Sequence, residues 1–123
     1  MTTYTYSGTY NSYGTFQFGT AYDELHFTSS ANVYSTSNSG AVYGNGDDHL
    51  LRIDGAVRGL NYGARMYGDD NEVVISQSGS LGATNYQALT ISGDEAKVTN
   101  DGSIFGGSQG IYLYGDELSL IHI

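Results

Sequence analysis

Apolar side chains in this chain come in short runs that alternate with polar ones and are closed off by turns of glycine and acidic residues. Leu25-His26-Phe27, Val73-Val74-Ile75 and Leu118-Ser119-Leu120 each follow an acidic pair. Val57, Leu81 and Ile104 stand in a second set of runs, and Phe16, Ala64, Leu89 and Ile111 in a third. A period of two is the mark of a strand with one face turned inward. The pattern therefore predicts three short strands followed by their own repetition, with no helical segment.

The repetition has a measurable period. Residues preceding a turn recur at Phe18, Tyr43, Tyr67, Ile91 and Tyr114, with steps of 25, 24, 24 and 23. Acidic pairs recur at Asp23-Glu24, Asp47-Asp48, Asp69-Asp70, Asp94-Glu95 and Asp116-Glu117, with steps of 24, 22, 25 and 22. Small residues open the second strand at Ala31, Gly55, Gly79 and Gly102, and an amide or hydroxyl column runs Asn38, Asn61, Asn85 and Ser108. A unit of this length cannot bury its apolar face until a neighbour stacks on it. The fold class expected is all-β: a single-stranded parallel β-solenoid (β-helix) of about four and a half coils of roughly 23–24 residues, right-handed by the general preference of such connections. Glycines at Gly44, Gly68, Gly93 and Gly115 are expected at the corners.

Residues 1–17 carry Tyr4, Tyr6, Tyr10, Tyr13 and Phe16 but no acidic pair, and are expected to form a lead-in or cap over the first coil. Residues 18–123 are assigned to the repeats, which break off after the first strand of a coil. The edge left there is expected to be open to another copy.

Composition narrows the partners. Thirteen acids against four cations give a net charge of −9, which repels phosphate backbones and anionic headgroups, so nucleic acid and membrane surfaces are not expected partners. Gly, Ser, Thr and Asn make up 51 of the 123 residues, a disorder-like proportion that the twelve Tyr and four Phe offset with apolar area. There is no Cys to form a disulfide or a thiolate metal site, and no Pro to remove a donor from stacked strands. The first residues show no basic segment followed by an apolar run, so no Sec signal is read in this chain.

The acidic pairs are the first candidate for chemistry, because ten of the thirteen acids fall on one ridge. Charges about 5 Å apart repel by roughly 1 to 3 kcal/mol, depending on the surrounding dielectric. Ca²⁺, which takes six to eight oxygens, is the cofactor such a ridge suggests, with Asp47, Asp48, Asp69, Asp70, Asp94 and Glu95 as metal ligands. The alternative is a hydrated corner that keeps the protein soluble. Gly44-Asn45-Gly46-Asp47-Asp48-His49-Leu50 matches part of the calcium-binding nonapeptide, and here the chain resembles RTX and related secreted repeat proteins, with Tyr43 where the nonapeptide begins with glycine. From residue 18 onward, Gly-Ser-Ile-x-Gly and the Gly-Asp turns resemble the β-helix repeats of bacterial surface adhesins. That resemblance implies a structural stalk or adhesive surface, secreted or displayed on a bacterial cell, with a surface glycan or protein as partner.

Catalysis is not expected. Arg52, Arg58, Arg65 and Lys97 form no cluster in the sequence, Asp54, Glu72 and Asp101 fall at unrelated positions, and His26, His49 and His122 share neither a column nor a metal-ligand spacing. Tyrosine faces leave a carbohydrate-binding or carbohydrate-active β-helix as an alternative. The expected function is that of a non-enzymatic structural or adhesive module, with edge-to-edge stacking into a homo-oligomer as the second possibility.

Overall fold

The structure, a computed structural model, describes residues 2–19 and 22–122, the last without its side chain. Among the described residues sixteen strands form three parallel sheets. The first sheet stacks β1 (Thr3–Tyr6), β4 (Glu24–Phe27), β7 (Leu50–Ile53), β10 (Glu72–Ile75), β13 (Lys97–Asn100) and β16 (Ser119–His122). The second stacks β2 (Thr9–Tyr13), β5 (Asn32–Ser35), β8 (Ala56–Gly59), β11 (Ser80–Ala83) and β14 (Ser103–Phe105). The third stacks β3 (Phe16–Gln17), β6 (Val42–Asn45), β9 (Ala64–Tyr67), β12 (Gln87–Ser92) and β15 (Gln109–Tyr114). The chain is a β-solenoid of five coils and one further strand.

Each sheet turns one face into the bore. In the first, Leu25, Leu51, Val73 and Val98 lie one above another, as do Phe27, Ile53 and Ile75. Val33, Val57, Leu81 and Ile104 do so in the second, and Val42, Ala64, Leu89 and Ile111 in the third. Nearly all are fully buried. At about 25 cal/mol per Å² of apolar area removed from water, this stacked bore supplies the driving force, and none of it exists for a coil alone.

The segment expected as a lead-in or cap runs as the first coil: β1 pairs with β4, β2 with β5 and β3 with β6. Its inward positions hold large rings where later coils hold aliphatics. Tyr6 stacks on Phe27 at 5.4 Å, Tyr13 stacks on Phe16 at 4.5 Å, and Tyr10 meets Phe16 edge-on at 5.2 Å. The rings close the upper end of the bore, and burial raises the Tyr6 phenol above its usual pKa.

The period is an alternation. Along the first sheet Glu24, Leu50, Glu72, Lys97 and Ser119 are in register, with steps of 26, 22, 25 and 22. The difference lies partly in the corner between the first and second sheets, which is short at Asp54-Gly55 and Asp101-Gly102 and longer at residues 28–31 and 76–79. A constant step of 24 therefore misplaces some columns. Tyr43 aligns with Arg65, Tyr67 with Ser92 and Asn45, and Ile91 with Met66 and Gly44, so the column of residues preceding a turn mixes inward and outward positions. A slip of one residue exchanges the faces of a strand.

Candidate functional site

The corner between the third and first sheets carries the acidic ridge. Its glycines are Gly46, Gly68, Gly93 and Gly115, all at positive φ between 130° and 149°. Gly44, expected at this corner, lies instead in β6, facing the bore: a Cβ there would come within 2.8 Å of the Phe18 ring. That ring lies flat on buried His49, with centroids 4.3 Å apart. The nonapeptide-like stretch is thus the corner of one coil packed around His49, whose backbone N–H donates to Asn71 Oδ1 at 2.8 Å.

Behind each corner glycine two acids play different parts. The first belongs to a ladder: Asp69 N–H donates to Asp47 Oδ1 at 2.8 Å, Asp94 N–H to Asp69 Oδ1 at 2.9 Å, and Asp116 N–H to Asp94 Oδ1 at 3.0 Å. The second acid, Asp48, Asp70, Glu95 or Glu117, adopts φ of 56° to 59°, a left-handed conformation that Asp tolerates better than most side chains. Its own N–H donates to the first acid's carbonyl one coil on, as from Asp48 to Asp69 O at 3.0 Å and from Asp70 to Asp94 O at 2.9 Å. The outer carboxylates consequently stand in a file. Hydrogen bonding to Asp70 and Glu117, together with their charge, pushes the exposed Glu95 carboxyl up to about 7.

The six residues expected to bind Ca²⁺ all lie on this ridge, but they stack and do not converge. The inner oxygens already accept backbone N–H groups, and among the described residues no group of three or more His, Cys, Asp or Glu is arranged to hold a metal ion. The donor set does not fit a cation that needs six to eight oxygens around one point. Asp23-Glu24 also leaves the column. Tyr22 N–H bonds to Asp47 O at 3.3 Å, which puts Tyr22, at φ 67°, in the place of the second acid, while Glu24 sits in β4. There Glu24 is buried, accepts from Thr3 Oγ1 at 3.2 Å and lies 3.6 Å from the Arg52 guanidinium.

At the corner between the second and third sheets the amide column forms a ladder, Asn61 Nδ2 to Asn38 Oδ1 and Asn85 Nδ2 to Asn61 Oδ1, each 2.9 Å. In-register stacking is the geometry that permits such a ladder.

The structure also joins residues that the sequence left apart. His26 Nε2 and Asp54 Oδ2 lie 2.6 Å from each other across 28 residues, and hydrogen bonding to His26 holds the Asp54 carboxyl below its usual range. The signal was present but displaced, since His26 and Arg52 are in register 26 residues apart and Asp54 follows at the strand end. On the outer face of the second sheet, Arg58 lies over the Tyr34 ring at 4.7 Å and borders a shallow groove of about 200 Å³ lined also by Asn32, Ala56, Ser80 and Phe105. The His122 side chain lies outside the described residues.

The lower end of the bore differs from the upper. Ile104, Ile111 and Leu113 are only partly buried, whereas Leu81, Leu89 and Ile91, their counterparts one coil earlier, are fully buried. Leu120, which continues the Leu25 to Val98 row, is 50% exposed. Phe105 and Ile121 are also exposed, and they and Leu120 are the only exposed large hydrophobics other than tyrosines among the described residues.

No protein-family model matches the chain, and it has no significant match among curated proteins or solved structures. The likeness to bacterial adhesins and calcium-binding repeats has no support beyond the motifs that suggested it.

Proposed function

We propose that the chain is a non-enzymatic structural repeat module whose last coil, β14 to β16, is its assembly surface. The contrast between the two ends of one bore carries this function: the upper end is closed by Tyr6, Tyr10, Tyr13 and Phe16, and the lower end leaves Ile104 and Leu113 only partly buried and Leu120 exposed. The rest of the molecule suits a spacer, because the ridge and the Asn ladder commit their polar groups to neighbouring coils. A secreted or bacterial-surface setting goes with this function and rests on the adhesin-like repeats alone.

Sedimentation velocity over a rising concentration series tests it. The chain is expected to sediment as more than a monomer, and Leu113→Lys with Leu120→Lys to return it to monomer with an unchanged β spectrum. A monomer at every concentration would contradict the assignment.

A carbohydrate ligand is a second reading, favoured by the groove on the second sheet, which Tyr34 and Phe105 line beside the donors of Asn32, Arg58 and Ser80. Arg58→Ala should then weaken retention on a polysaccharide matrix; equal retention of both proteins, or none, removes it.

A further inference from the structure

We infer that Tyr62 and Tyr86 form an oxidative cross-linking site, where a peroxidase-type one-electron oxidant joins the two rings by a carbon–carbon bond and staples the third coil to the fourth.

The chain has no cysteine, so no disulfide ties one coil to the next. Tyrosine can form such a tie, because a phenoxyl radical carries its unpaired electron partly on the ring carbons beside the oxygen. Tyr62 and Tyr86 stand 24 residues apart, just ahead of the paired strands β9 and β12. Their ring centroids are 5.3 Å apart and their planes inclined by 31°, the shortest distance and smallest angle between two tyrosines among the described residues.

The backbone on either side holds the pair in register. Tyr86 N–H donates to Asn61 O at 2.9 Å, Gly63 N–H donates to Gln87 O at 3.2 Å, and the Asn61–Asn85 rung lies beside them. Arg65, 4.4 Å over the Tyr62 ring, steadies that ring, while Tyr86 is 49% exposed and open to an oxidant. Rings already held together couple without the entropy cost of a collision.

Other tyrosine pairs are less well placed. Tyr6 and Tyr10 meet at 86° and Tyr10 and Tyr13 at 75°, each turning an edge to a face. Tyr43 and Tyr67 are 5.9 Å apart at 50°, and Arg65 Nε and Nη2 pin the Tyr67 hydroxyl, donating to it at 3.1 and 2.7 Å.

Hydrogen peroxide supplies the oxidising equivalents. Each phenol gives up its O–H hydrogen, and the two hydrogens turn one peroxide into two waters. The radicals pair their electrons in a bond between ortho carbons. The hydrogen on each joined carbon then leaves as a proton and the oxygen takes one back, restoring both phenols. The product is lighter by two hydrogens. Like a disulfide of the same span, the link restricts the unfolded chain and so favours the folded stack.

The test is to treat dilute protein with a haem peroxidase and hydrogen peroxide, then unfold it and digest it with trypsin, which cuts after Arg52, Arg58, Arg65 and Lys97. A single chain lighter by two hydrogens is expected, with dityrosine fluorescence, a raised melting temperature and residues 59–65 joined to residues 66–97. Tyr86→Phe, which removes only a hydroxyl, is expected to abolish the joined peptide. An unchanged mass, coupling only between separate chains, residues 1–52 joined to 66–97 in its place, or a joined peptide that survives Tyr86→Phe overturns the site.

Discussion

The carboxylate of Asp47 accepts the backbone N–H of Asp69 across 22 residues, at 2.8 Å, and the bond repeats down the ridge through Asp94 and Asp116. At this position the chain bends out of strand geometry, and the side chain supplies the acceptor that a neighbouring carbonyl would supply in a sheet. Each such bond offsets part of the repulsion between the stacked acids.

Asn retains an oxygen acceptor and sheds the charge. Asp69→Asn is therefore expected to match or exceed the parent in urea denaturation, while Asp69→Ala, which strands the Asp94 N–H, loses about 1 kcal/mol. Equal midpoints for the Asn and Ala variants would mean the ladder contributes nothing.

Glu95 ties stability to pH. Its folded pKa of about 7 stands above the unfolded value of 4.5, so the folded state binds the extra proton. The contribution is complete below the unfolded value and disappears as pH rises through the folded one. Melting temperature should fall between about pH 5 and pH 8, and Glu95→Gln should flatten that slope. A parent curve that stays level there contradicts the shared-proton file.

Asp54 acts in the opposite sense. Its folded pKa is depressed, first by the hydrogen bond to His26, so its contribution is present above the unfolded carboxylate pKa and is lost as pH falls through the folded one. Asp54→Asn should destabilise the protein at neutral pH and make little difference once the acid limb is passed. An equal loss at both pH values would point to packing in place of the hydrogen bond to His26.

The stacked arrangement also bears on metal. At matched ionic strength Ca²⁺ is expected to raise the melting temperature of the chelator-treated protein no more than Mg²⁺ does, since both act by screening the ridge. A rise with Ca²⁺ alone would make Asp47, Asp69 and their neighbours an ion site.

The sequence made the stack and its strands legible because buried apolar rows repeat in every coil: Val57, Leu81 and Ile104 lie in register as their spacing predicts. It misjudged columns wherever the alternation of coil lengths exceeded the tolerance of an averaged period. Gly44 and Glu24 were drawn into corners, Asp23 into the column of paired acids, and His26 was separated from Asp54, for that one reason. The first coil escaped notice because its bore positions carry Tyr6, Tyr10 and Phe16, rings suited to closing an end, where the repeat carries aliphatics. The acids were found as a ridge from Asp47 to Glu117, but residue type could not show that Asp47, Asp69 and Asp94 each turn one oxygen to a backbone donor.

Hydrogen exchange by mass spectrometry at two well-separated protein concentrations tests the assembly surface most directly. Amides of β14, β15 and β16 are predicted to slow at the higher concentration, while those of β1 and β2 keep one rate. Equal exchange of the last coil at both concentrations, with the central coils protected throughout, would contradict it and leave the lower edge open to solvent.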